Sequence, residues 1–274
     1  MIIDVHHHLS TEPDYAGKLV AECKRLKIAK VCLFGAGKGS FKTGTAGNDE
    51  VRKAMEEYPD TIVGFAYFDL GEDPPNKIDD FVAQGFKGVK FINPTRNYDD
   101  KDFFEVYARL EANGLPALFH LGIVARRAHD KAYDINNNRH RPVYLDTIAR
   151  AFGQLNIIGA HFGNPWYEEA AMACRWNPNL YFDLSGSTLK CKPSAFLGQL
   201  LWWTPKTRYR DPQGRHAWEK IVFGSDVPCD EIEDVLNDYK KVMTKLKLPQ
   251  KIQKEVLGGT AAGILGLQGE QAAT

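Results

Sequence analysis

Eight short runs of apolar residues, many β-branched or aromatic, recur along the chain, with amphipathic stretches between them. They are Ile2–His8, Lys30–Gly35, Ile62–Phe68, Gly88–Ile92, Ala117–Gly122, Asn156–Phe162, Leu180–Ser185 and Ile221–Asp226. Several are nearly continuous in apolar character, as strands buried on both faces of a parallel sheet are. Helical spacing fills the intervals. Leu19, Val20, Cys23 and Leu26 precede the second run, Phe103, Phe104, Tyr107 and Leu110 precede the fifth, and Ile232, Val235, Leu236, Tyr239 and Met243 follow the eighth. Strand alternating with helix predicts parallel pairing through right-handed crossovers. Eight such units predict a closed α/β barrel of the (β/α)8 or TIM type, which takes about 250 residues. The competing architecture is an open doubly wound sheet. Against it, no glycine-rich phosphate loop follows the first run, and Gly35-Ala36-Gly37-Lys38-Gly39-Ser40 after the second lacks the spacing of either nucleotide fingerprint. Two connections are long: 123–141, with Arg126, Arg127, Lys131, Arg139 and Arg141, and 204–218. The barrel is expected over 1–267, and the small polar tail 268–274 is expected to fray.

Composition narrows the function classes. The 274 residues are 43% hydrophobic and 26% charged, ordinary values for a globular protein, and one large domain suffices. Lys plus Arg equals Asp plus Glu at 35 each. Such a balance provides no field for steering onto nucleic acid or an acidic membrane, and neither partner is expected. Cys23, Cys32, Cys174, Cys191 and Cys229 are scattered and form no CxxC pair, which argues for reduced thiols rather than a disulfide framework. Met1–Val5 runs into three histidines without a basic segment before it, and no apolar run reaches bilayer length, so a cytoplasmic location is expected.

The first run reads Asp4-Val5-His6-His7-His8. Alternation along a strand puts His6 and His8 on one face, where both can hold one metal ion, and turns His7 toward the helix layer. Asp4 shares their parity and is expected to be a buried, hydrogen-bonded carboxylate below the site. His120, His161 and Asp226 close the fifth, sixth and eighth runs. In a (β/α)8 barrel all carboxyl ends meet on one face, so these groups converge there despite their separation in sequence. Imidazoles and a carboxylate suit a divalent first-row ion, zinc first among them, with manganese, cobalt or iron as alternatives.

These segments resemble the amidohydrolase superfamily, in particular the amidohydrolase-related branch that includes aminocarboxymuconate-semialdehyde decarboxylase. The similarity is carried by the Asp-x-His-x-His of the first run, Phe119-His120-Leu121-Gly122, Ala160-His161-Phe162-Gly163, Asn179–Gly186, Gly224-Ser225-Asp226-Val227-Pro228 and Gly258-Gly259-Thr260-Ala261-Ala262. The resemblance implies that His6, His8 and His120 bind the metal. It implies that Asp226 binds it too or acts as general base on its water, and that His161 is an acid/base that polarises the substrate. Two positions depart from the pattern: Thr260 stands where the family usually has Asn, and Asn164-Pro165-Trp166 where branch members often have His-Pro-Trp. Lys90 falls where binuclear members carry a carboxylated, metal-bridging lysine, whereas the branch often has a lysine without that role; one metal is the expectation. A homodimer is expected at the level of the family only.

Three functions follow as alternatives. The first is a metal-dependent hydrolase of a small amide, lactone or ester, anionic elsewhere in the molecule. The second is a metal-dependent decarboxylase of an aromatic or unsaturated acid on the same site, and the third a barrel that only binds. Arg126, Arg127 and Arg141 are candidate partners for a substrate carboxylate. Asn164, Trp166 and Ser185 are candidate pocket walls. Phe162, Trp202 and Trp203 read more readily as packing than as pocket.

Overall fold

A computed structural model of the 274-residue chain describes residues 1–35, 46–124 and 135–267. Arg126, Arg127, Lys131, most of the glycine-rich loop and the tail from 268 onward lie outside the described residues. The strands are β1 (Ile2–His8), β2 (Ile28–Phe34), β3 (Ile62–Tyr67), β4 (Gly88–Phe91), β5 (Ala117–Phe119), β6 (Ile157–Gly159), β7 (Leu180–Asp183) and β8 (Ile221–Val222). They form one eight-stranded sheet in sequential order, with parallel neighbours from β1 to β8. Backbone bonds from Val5 N to Phe223 O (2.9 Å) and from Asp226 N to His6 O (2.8 Å) tie the last strand back to the first. This is the (β/α)8 barrel that the alternating pattern predicts, not an open sheet.

Between the strands run α1 (Tyr15–Leu26), α2 (Asn48–Glu57), α3 (Lys77–Ala83), α4 (Phe104–Ala112), α5 (Val143–Ala151) and α6 (Tyr167–Trp176). Beyond β7 come α7 (Ser187–Cys191), α8 (Ser194–Leu200), α9 (Ile232–Lys245), α10 (Gln250–Lys254) and α11 (Thr260–Ile264). Their apolar stripes are those seen in the sequence. Helix α9 buries Ile232, Val235, Leu236, Tyr239, Val242 and Met243, with Glu233 and Asp234 in its first turn and Lys245 in its last, where they complement the helix dipole.

Two apolar clusters divide the core. One joins the helices to the outer strand faces; the other fills the barrel with Ile3, Val5, Cys32, Phe34, Val63, Phe65, Leu118, Ile158 and Val222. Ala261, Ala262 and Ile264 of α11 join this interior cluster, while Gly258 lies against the backbone of Met1 and Ile3. The closing Gly-Gly-Thr-Ala-Ala segment therefore stoppers the amino-terminal end of the barrel and leaves the carboxyl end open.

The register of β1 on β2 is irregular between Ile2 and Ile3 and again between Asp4 and His7, and the second irregularity bears on the site. There Asp4 stands opposite Val31 and His7 opposite Leu33. Val31 and Leu33 belong to the helix-facing cluster, so Asp4 shares the outer face with His7 rather than the inner face with His6 and His8. A β-bulge has this effect, because one extra residue reverses the parity of everything beyond it. The Asp4 carboxylate accepts the His6 N–H at 3.0 Å and the Ser225 N–H at 2.9 Å. It thus ties the irregular backbone of β1 to the residue before Asp226. Burial outweighs these bonds and raises its pKa to about 6.

Candidate metal centre

His6, His8, His161 and Asp226 meet at the carboxyl ends of the strands. Asp226 Oδ1 lies 3.5 Å from Nε2 of His6 and 3.5 Å from Nε2 of His8, while its Oδ2 lies 3.8 Å from Nε2 of His161. The strands themselves stop short of these groups: β6 ends at Gly159 and β8 at Val222. His161 (φ 59°) and Asp226 (φ 49°) sit in left-handed backbone just beyond, a conformation that non-glycine residues seldom hold. The turn at each strand end aims the side chain across the barrel mouth. Gly224 allows the close approach of β8, since a Cβ there would fall 2.9 Å from Cβ of His6 and 3.0 Å from Cβ of Asp183.

Asp183 was not among the residues singled out from the sequence. It ends β7 fully buried, and its Oδ2 pairs with His6 Nδ1 at 2.8 Å. Its Oδ1 accepts the backbone N–H groups of His161 and Ser185, both at 2.9 Å. Burial acts to raise its pKa, but the adjacent His6 and these bonds prevail and hold it well below the usual carboxylate range. On the other side of His6, Lys90 Nζ stands 3.2 Å from Nε2 and 4.7 Å above the Phe34 ring. The Lys90 ammonium can only donate, so Nε2 of His6 is the acceptor and the ring proton is on Nδ1, facing Asp183. Burial brings Lys90 down to about 8 against the pull of Asp226 and Asp183.

Two sets of ligating atoms each fall within 4.8 Å of one another: His6, His8 and Asp226, and His6, His161 and Asp183. In the second, both Asp183 oxygens are already engaged as described. The first set presents acceptors to acceptors, with a bare imidazole nitrogen facing a carboxylate oxygen. A small divalent cation would satisfy such an arrangement, and nitrogen and oxygen donors of this kind fit zinc, manganese, cobalt or iron. His120 belongs to neither set. It reaches the cluster by ring contact with His161, centroids 5.0 Å apart, and its buried Nε2 has no hydrogen-bond partner. Burial keeps His8, His120 and His161 below the ordinary imidazole pKa, and hence neutral and able to ligate.

A family model described as Amidohydrolase matches residues 3–267. The chain belongs to the amidohydrolase family. No curated protein matches it. Among solved structures it is similar to an uncharacterized TIM-barrel protein from Bordetella bronchiseptica, at TM-score 0.69 and 18% identity over 98% of this chain and 99% of that one. It is also similar to 5-carboxyvanillate decarboxylase from Sphingomonas paucimobilis (TM-score 0.66, 16% identity, 97% and 98% covered). A third is 4-oxalomesaconate hydratase from Rhodopseudomonas palustris (TM-score 0.61, 14% identity, 98% and 97% covered). At these identities the likeness establishes the fold and leaves the reaction open.

The remaining residues picked from this amidohydrolase sequence fall into two groups. Some are bonded to partners outside the cluster. The Arg141 guanidinium is bonded to Glu169 through two nitrogens and lies over the Trp166 ring at 5.5 Å, so its charge is spent on an ion pair. Asn164 accepts from the Tyr167 hydroxyl at 2.7 Å. Phe162 and Trp203 are buried in the helix-facing core, and Trp202 stands exposed beside Arg175. Others lie closer in than expected. Ser185 is fully buried, with its hydroxyl 2.5 Å from Asp183 Oδ1 and 2.9 Å from His161 Nδ1. His7 faces the helices and bonds Ser225 Oγ and the Tyr15 hydroxyl. His140, also missed in the sequence, is buried against His120 (centroids 5.5 Å, rings perpendicular) and accepts the Asn93 N–H. Its position in Arg139-His140-Arg141 carried no periodic or strand-end signal. Among the described residues no helix is long and apolar enough to cross a membrane.

Proposed function

We propose that this chain is a metal-dependent hydrolase of a small carbonyl compound, an amide, lactone or ester, holding one divalent ion with His6, His8, His120 and Asp226. The observation that carries the reading is the ring of acceptors around Asp226: bare Nε2 of His6 and Nε2 of His8 on one oxygen, Nε2 of His161 toward the other. These residues would hold a divalent ion, which would supply water acidic enough to ionise at about pH 7. Asp226, with Oδ2 turned to His161 and 18% of the side chain open to solvent, is placed to take the proton released as water attacks. His161, its Nε2 3.8 Å away, takes that proton from Asp226 and then delivers it to the leaving group or, so charged, steadies the developing oxyanion. Zinc is the ion expected first; manganese, cobalt and iron suit the same donors. The substrate is expected to be anionic, with Arg126 and Arg127 as the candidates left to meet its carboxylate. The second reading, non-oxidative decarboxylation of an aromatic or unsaturated acid, uses the same groups and is kept open by the branch resemblance.

Metal analysis of the purified protein tests the reading, followed by chelation, reloading with zinc, manganese or cobalt, and assay on panels of lactones, esters, amides and aromatic acids. The expected result is stoichiometric metal and a metal-dependent hydrolysis that His6→Ala and Asp226→Ala each reduce at least a hundredfold with the fold retained. Release of carbon dioxide from an acid, without hydrolysis of any carbonyl substrate, would shift the assignment to the decarboxylase. A protein that takes up none of these ions would be a binding barrel.

A further inference from the structure

We infer that Asp183 and Ser185 form a built-in device that fixes the tautomers of two imidazoles at once, making His6 a ready ligand and His161 a base rather than an acid in the resting site. The reasoning uses only hydrogen-bond bookkeeping. Lys90 Nζ, 3.2 Å away, requires an unprotonated Nε2 on His6, so the His6 proton is on Nδ1 and points at Asp183 Oδ2. Oδ2 therefore accepts and carries no proton. Oδ1 is approached by two backbone N–H groups, which can only donate, so it carries none either. The hydroxyl of Ser185, 2.5 Å from that oxygen, must then be the donor. Its single proton is used there, and what it offers His161 Nδ1 at 2.9 Å is a lone pair. His161 consequently holds a proton on Nδ1, and in the neutral ring Nε2 is bare and faces Asp226, 3.8 Å away.

Asp183 and Ser185 touch no reacting atom; they are positioning residues. Both bonds run from the far side of the ring, as outer hydrogen bonds to ligating histidines do. With Nε2 bare, His161 can receive from Asp226 the proton taken from water. This step, unlike the tautomers themselves, rests on the hydrolase reading.

The test reads the tautomers directly. Long-range ¹H–¹⁵N spectra of uniformly labelled, metal-free protein should show His6 and His161 as Nδ1–H forms, the less common form of a free neutral imidazole. Ser185→Ala should return His161 to Nε2–H and leave His6 unchanged. Metal uptake should stay within about twofold while turnover falls roughly ten- to a hundredfold, mainly in kcat. Asp183→Asn presents an amide N–H2 to one imidazole or to the backbone donors, and should lower metal affinity tenfold or more. Circular dichroism and thermal melting establish that each variant is folded; if Asp183→Asn is not, Ser185→Ala with Ser185→Cys, a weaker donor and acceptor expected to fall between the two, decides the matter. An Nε2–H signal from His161 in the wild-type protein overturns the device and leaves the metal reading intact, and so does a Ser185→Ala spectrum in which His161 is unmoved; an Nε2–H signal from His6 overturns the device and also removes the acceptor argument for the ion, so that metal uptake then decides that reading. Wild-type protein that takes up no metal overturns the hydrolase reading, while the metal-free spectra still decide the tautomers.

Discussion

At Asp183 and Lys90 the chemistry of His6 is set from both sides. The carboxylate draws the ring proton to Nδ1, and the lysine, 3.2 Å from Nε2, occupies the lone pair that a metal would use. A divalent ion and an ammonium compete for that position, and like charges a few ångströms apart in a buried site repel by several kcal/mol. Lys90→Met, which keeps the volume and removes the charge, is therefore expected to tighten zinc binding roughly tenfold or more, measured by competition with a chromophoric chelator. The opposite result, loss of bound metal in Lys90→Met, would point to a carboxylated lysine bridging two ions. At this scale the sequence was informative about residue type and poor about company. His6, His8, His161 and Asp226 announced themselves by lying at the ends of apolar runs. Asp183 lay at the end of such a run as well, but a lone Asp after Tyr181-Phe182 carries no spacing that separates a ligand-orienting carboxylate from a cap.

Elements reach the site through a few close contacts, and these are where small changes should be felt. Gly224→Ala would press a Cβ to 2.9 Å from Cβ of His6 and 3.0 Å from that of Asp183. Such overpacking costs about 1–3 kcal/mol, and because it pushes on the His6–Asp183 pair it should lower metal affinity along with the melting temperature. Asn179, buried at the start of β7, donates its side-chain amide toward the carbonyls of Ala149, Phe152 and Leu155 at the end of α5 and in the turn after it. Asn179→Ala removes these bonds and is expected to cost about 1–3 kcal/mol in urea unfolding, with catalysis little changed in the folded fraction. The bulge in β1 belongs to this scale too. Alternation read from Ile3 onward put Asp4 beneath His6 and His8; the extra residue at Val5–His6 turned it outward to His7 and Ser225. A bulge leaves the apolar pattern of a short strand intact, so only the register against β2 reveals it.

For the whole molecule, burial of neutral imidazoles makes stability depend on pH. Desolvation brings His7 and His140 down to about 4 from the ordinary 6.5. Between those values the unfolded chain binds more protons than the folded one, so stability is full above pH 6.5 and falls as pH drops through the window toward 4. The slope is at most roughly 1.4 kcal/mol per pH unit for each imidazole. Urea unfolding of metal-free protein at pH 7, 6 and 5 should show this fall, and His140→Gln should flatten it; a free energy unchanged over that range would contradict the neutral, buried state of these rings.

The sequence by itself determined the barrel, because eight apolar runs separated by amphipathic helices have few other ways to bury themselves, and in that fold strand ends meet at one mouth whatever their spacing in the chain. The order of the strands and most helix faces followed from the same local patterns. Tertiary structure alone decided which neighbour each polar group has: that Asp183 grips His6, that Ser185 stands between Asp183 and His161, that Arg141 is bound to Glu169, and that His120 lies at the edge of the cluster. Periodicity reports which side of an element meets the core. Hydrogen bonds between residues far apart in the chain depend on turns, bulges and left-handed backbone at strand ends, and these bend the chain without leaving a repeating trace in it.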